Sequence, residues 1–107
     1  VFRELGYVVI EGVLTDVYDV LEKIARELGS TEDIEDTLRI LRNFDAHYSS
    51  LRKKFKEYIT PRKSERDLLL GKVIVDKIKL RVENNQKIVT VVFDKRVNQE
   101  YILKLMS

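Results

Sequence analysis

Cysteine and tryptophan are absent from the 107 residues, while histidine, methionine and proline occur once each. Without cysteine there is no disulfide, no thiolate nucleophile and no cysteine-rich zinc site. The single histidine, His47, excludes multi-histidine metal clusters. No uninterrupted apolar run approaches the ~18 residues of a membrane span, and the N-terminus lacks the basic, apolar and small-residue order of a secretory signal. A cytoplasmic, non-membrane protein is therefore expected. The first residue, Val1, fits either loss of an initiator methionine or a start within a longer chain. No Gly-rich phosphate loop, nucleophile elbow or CxxC pattern occurs, and nothing in the sequence calls for a cofactor.

Hydrophobic residues make up 44% of the chain and charged residues 36%. That balance supplies a core and argues against disorder, and the length suits one domain, 1–107. Abundant Lys, Arg, Glu, Ile and Val beside only two Gln and four Asn match the compositional trend of hyperthermophile proteins. Charge is unevenly placed. Residues 1–37 carry three basic and ten acidic side chains, net −7, whereas residues 38–107 carry 17 basic and 8 acidic, net +9. Acidic residues at helix N-termini and basic ones at C-termini explain part of this polarity. They do not explain cations in a β-hairpin.

Residues 7–14 (YVVIEGVL) are β-branched and read as a buried strand. Thr15 is placed to cap a helix over 16–28, with Val17, Val20, Leu21, Ile24 and Leu28 on one face and Gly29 to end it. Ser30, with Asp33 three residues on, opens a capping signal for a helix starting at Thr31. In that helix Ile34, Leu41, Tyr48 and Phe55 recur every seven residues beside the row Thr37, Phe44, Leu51 and Tyr58, flanked by Leu38 and Ile59. The unbroken phase predicts one continuous helix over 31–59, about 29 residues and ~43 Å long. A helix-turn-helix broken at residues 42–45 would disturb that phase. Asn43, Asp45, Ser49 and Ser50 are weak helix formers and mark where a kink would fall. Pro61 marks the stop, and a short turn of helix fits 64–70.

The hairpin over 72–95 turns on Asn84-Asn85, a pair suited to a type I′ turn. A two-residue loop there pairs Leu80 with Val89, Ile78 with Val91 and Asp76 with Phe93 on an apolar face. The other face pairs Lys79 with Thr90, Lys77 with Val92 and Arg81 with Ile88. Asn98 is a cap for a short C-terminal element over 98–106. The expected architecture is α+β: a helical hairpin with one long amphipathic helix packed on a small antiparallel sheet, which strand 7–14 joins beside the C-terminal β-hairpin.

Function classes follow from placement. Arg52, Lys53, Lys54, Lys56, Arg62, Lys63 and Arg66 crowd a stretch opposed only by Glu57 and Glu65, and Lys77, Lys79 and Arg81 line the hairpin. Clustered cations on a rigid frame suit phosphate, so the leading expectation is a non-enzymatic nucleic-acid-binding protein, or one binding another anionic partner. Phe55 and Tyr58 interleave these cations, but their heptad positions assign them to the core. The long seam equally suits a homodimer, in which acidic and basic ends would pair between subunits.

Arg42-Asn43-Phe44-Asp45-Ala46-His47 resembles, over six residues, the R-N-x-x-x-H motif of HEPN-type ribonucleases, which are metal-independent and pair their motifs across a dimer. The resemblance implies that His47 acts on the ribose 2′-hydroxyl or the leaving oxygen while Arg42 stabilises phosphate charge. On a regular helix the two side chains stand ~140° apart, and the β-hairpin departs from that all-helical family. A metal-dependent nuclease site built on Asp76, Asp94 and Lys95 or Arg96 would need Asp76 and Asp94 on one face. The hairpin register separates them unless a β-bulge intervenes. Gln99-x-x-Ile102-x-x-Leu105-Met106 is a degenerate relative of the sliding-clamp binding peptide and reads more simply as an amphipathic helix.

Overall fold

The computed structural model describes residues 1–106. Along them the chain runs β1 (Phe2–Glu4), β2 (Tyr7–Val13), α1 (Leu14–Leu28), α2 (Glu32–Arg42), α3 (Phe44–Lys53), α4 (Glu65–Leu69), β3 (Val75–Glu83), β4 (Gln86–Phe93) and α5 (Gln99–Met106). The strands form one antiparallel sheet in the order β1-β2-β4-β3. It is a mixed α+β domain with several helices on a four-stranded sheet, not a two-helix hairpin.

Asn84 and Asn85 take φ of 50° and 65°, the left-handed pair a type I′ turn requires. The expected register follows through Leu80 with Val89, Lys79 with Thr90, Ile78 with Val91 and Lys77 with Val92. It fails at the far end, where a bulge makes Val75, not Asp76, the partner of Phe93. A contact from across the chain accompanies it. Asp33, 1% exposed in the first turn of α2, accepts hydrogen bonds from the Ile74 and Val75 N–H groups at 2.6 and 2.7 Å. Two backbone donors at the start of β3 thus turn to a helix.

Strand 7–14 does join the hairpin, with β2 pairing β4 from Val9 with Val92 to Val13 with Ile88. β1 escapes the sequence reading because Phe2-Arg3-Glu4 shows no buried alternation. Leu5 and Gly6, both at positive φ, return it onto β2. The sheet face bearing Val8, Ile10, Ile78, Leu80, Val89, Val91 and Phe93 forms the core with Val17, Leu21, Ile24, Ile34, Leu41, Phe44 and Ile102 from the helices.

α1 starts one residue before the expected cap: its N-cap is Val13, without a side-chain hydrogen bond, so Thr15 does not cap it. Likewise Thr31, not Ser30, caps α2, accepting from Ile34 N–H, while the Ser30 hydroxyl bonds Glu35.

The continuous helix over 31–59 is the main correction. It breaks at Asn43 (φ −116°, ψ 41°), whose N–H tightens onto the Ile40 carbonyl at 3.1 Å. Because the break spends one residue, Ile34, Leu38, Leu41, Phe44 and Leu51 all stay buried in one core, as the heptad requires. Those five seam residues are packed against the sheet and α1 within the chain, whereas Tyr48 and Tyr58 are half-buried.

The helix then ends at Lys53, well before Pro61. The Lys56 N–H reaches the Leu51 carbonyl at 3.0 Å and the Phe55 N–H reaches Arg52 at 3.3 Å, the paired closure of a Schellman motif. Phe55 holds the left-handed position at φ 53°, where glycine is usual. Beyond it Ile59 forms a bridge to Ile78, with both N–H···O bonds at 2.9 Å. Asp36 accepts from Arg62 N–H at 2.8 Å and Asp67 from Glu32 N–H at 3.0 Å, which fastens the linker along α2.

Candidate functional site

The end of α3 turns its cations outward. Arg52, Lys53, Lys54 and Lys56 are all exposed at the corner made by the Schellman closure. Part of this charge offsets the negative end of the helix dipole. Phe55, expected in the core, is 97% exposed. A Phe at positive φ cannot continue the helix, so its ring leaves the apolar face at the residue where the heptad would have buried it.

Beside this corner lies a niche of about 390 Å³. α3 contributes His47 and Ser50, its C-cap contributes Lys54, and the returning segment contributes Lys56, Tyr58 and Thr60 over a floor of Leu51 and Ile59. The Ile59–Ile78 bridge fixes that returning segment against the sheet. Two lysines, a histidine and three hydroxyl-bearing residues therefore line the niche, and no Asp or Glu does. Such a donor-rich set suits an anion.

A second cavity, about 350 Å³, lies between α3 and the hairpin and brings Arg52, Lys56, Lys79 and Arg81 together. Its chemistry differs because carboxylates are present. Lys79 meets Glu57 at 2.7 Å, and Arg81 meets Glu11 at 2.9 Å and also Glu83. Hydrogen bonding to Lys79 holds the Glu57 carboxyl below its ordinary value and raises the Lys79 ammonium in turn. Lys77 lies 4.3 Å from the Tyr58 ring centroid. The hairpin cations expected to face a ligand are thus engaged within the fold.

The linker cations are divided. The Arg62 backbone is held by Asp36, the Lys63 ammonium donates to the Asp76 carbonyl at 3.3 Å, and Arg66 is exposed on α4. Arg42 and His47 line different cavities. Arg42 donates to the Tyr18 hydroxyl at 2.6 Å and lines clefts with Leu14 and Leu41, whereas His47 lines the niche.

A bulge does occur at Asp76, yet among the described residues no group of three or more His, Asp or Glu side chains is placed to hold a metal ion. Asp94 instead accepts from Arg96 N–H at 3.0 Å. Ile102 is fully buried and Gln99 accepts from Arg3 at 2.8 Å, so the segment likened to a clamp-binding peptide is a packed helix.

Sequence reasoning found the corner's cations but missed Ser50, Tyr58 and Thr60 as lining groups and Phe55 as an exposed ring. The available signal was the run Arg52-Lys53-Lys54-Phe55-Lys56-Glu57, in which Phe55 has no apolar neighbour in sequence. No helix among the described residues is long and apolar enough to cross a membrane. No protein-family model matches the chain, and no curated protein or solved structure is significantly similar to it.

Proposed function

We propose that the protein binds nucleic acid without catalysis, through the corner where α3 ends. The observation that carries this reading is a niche of cations and hydroxyls, free of carboxylates, beside exposed Arg52 and Lys53. Phosphate is the anion this donor set suits, and counterion release from a polyphosphate backbone supplies the affinity. Engagement with Glu57, Glu11 and Glu83 makes Lys79 and Arg81 secondary contributors.

The test is fluorescence anisotropy with labelled single-stranded DNA, single-stranded RNA and duplex across a salt series. Four corner cations imply a log–log slope of about −3 for single strands, a roughly 50-fold loss between about 50 and 200 mM salt. Binding that is undetectable at the low end, or indifferent to salt, defeats the proposal.

A further inference from the structure

We infer that the corner holds an unpaired nucleotide, with its base stacked on Phe55 and its phosphate in the niche of His47, Ser50, Lys54 and Lys56. The inference rests on the nucleic-acid reading and narrows it to single strands.

The first ground is Phe55 itself. Its backbone sits at φ 53°, a conformation costly for a bulky side chain, and its ring at 97% exposure is buried by nothing in the described chain. The Schellman hydrogen bonds at this position use only backbone atoms, so a phenyl adds nothing to the closure. A ring held away from the core by a rigid turn is a stacking platform that needs no rearrangement to receive a base.

The second ground is adjacency. Lys54 and Lys56, the immediate neighbours of Phe55, both line the niche. Neighbouring Cα atoms lie about 3.8 Å apart, so the ring and the two lysines are rooted at adjacent backbone positions of one turn. A duplex keeps its bases paired and stacked on one another, so only an unpaired base offers its face without that cost.

An anionic membrane surface shares the phosphate chemistry but fits less well. A single phenyl buries far less apolar area than one myristoyl chain, which by itself is only a marginal anchor, whereas one aromatic ring suffices to stack a base.

Two variants test the inference. The chain contains no tryptophan, so Phe55→Trp installs a single indole reporter at the site. Its fluorescence is expected to be quenched on adding oligo(dT) or oligo(U) about 15 nucleotides long, a length that covers such a site.

Phe55→Gly relieves the positive φ and is expected to melt no lower than the parent. Its affinity for either oligonucleotide should fall about tenfold with the salt slope unchanged, while duplex affinity stays as it was. Unaltered single-strand affinity in Phe55→Gly, equal loss for duplex and single strands, or no quenching in Phe55→Trp overturns the inference while the broader reading stands. If the parent protein binds neither single strands nor duplex, both fail. Phe55-dependent binding to phosphatidylserine vesicles with no effect on oligonucleotides would assign the ring to a membrane surface and overturn it as well.

Discussion

Asp33 shows how much one side chain can decide. Its carboxylate accepts from Ile34 N–H at 3.0 Å inside its own helix, from the Thr31 hydroxyl, and from two backbone donors of the sheet. Asp33→Ala would leave the Ile74 and Val75 N–H groups buried without acceptors, at roughly 1–3 kcal/mol each. We expect a loss of about 3–5 kcal/mol in urea unfolding; a loss under about 1 kcal/mol would show that the bolt carries no weight. The helix-side half of this role is legible in outline, since a carboxylate in a first turn is a familiar capping signal, although the cap itself falls on Thr31 and not on Ser30. The sheet-side half is not, because nothing in local pattern tells which strand start will come within reach of a residue about forty positions earlier. The same long-range bond accompanies the one error in hairpin register, at Asp76.

Among the elements, α2 is the frame to which the linker is tied. Burial pushes the Asp36 carboxyl up, but the Arg62 N–H and the Arg39 guanidinium outweigh it and leave the group below its ordinary value. Asp67 is lowered chiefly by the Glu32 N–H, with Ser64 assisting. Both carboxylates therefore contribute stability above their unfolded-state value near about 4, and that contribution is lost as pH falls through the lower folded-state values. In an NMR titration the amides of Arg62 and Glu32 should shift with midpoints below about 4. Midpoints at or above that value would mean the linker is not fastened.

The helices also show where periodicity stops informing. Ile34, Leu38, Leu41, Phe44 and Leu51 are placed correctly, because burial follows helical phase and a one-residue break at Asn43 preserves it. The phase then misleads at Phe55. A helix normally announces its end with glycine at the left-handed position, and here a phenylalanine occupies it. The turn at Asn84-Asn85 was legible for the converse reason, as its residues are those its geometry demands.

For the molecule as a whole, the distinction that matters is between cations that are paired and cations that are not. Sequence counts both alike. The structure sets Lys79 and Arg81 against carboxylates and leaves the niche beside Lys54 and Lys56 without one. If the proposed interface is correct, Lys54→Gln with Lys56→Gln should flatten the single-strand salt slope by about 1.4, close to 0.7 per phosphate contact. Arg81→Gln should leave it nearly unchanged. A larger effect from Arg81 than from the lysine pair would move the interface to the hairpin.

The cations of β3 have a further consequence, independent of any ligand. β3 is an edge strand, and an edge with unpaired N–H and C=O groups invites a strand from another molecule. Here Lys77, Lys79 and Arg81 stand along it, a bulge interrupts it at Asp76, and Ile59 occupies two of its hydrogen-bonding groups. At the opposite edge, β1 is only three residues long. A basic, bulged and partly bridged edge of this kind disfavours strand addition, which for a sheet rich in Val and Ile is the contact that leads to aggregation.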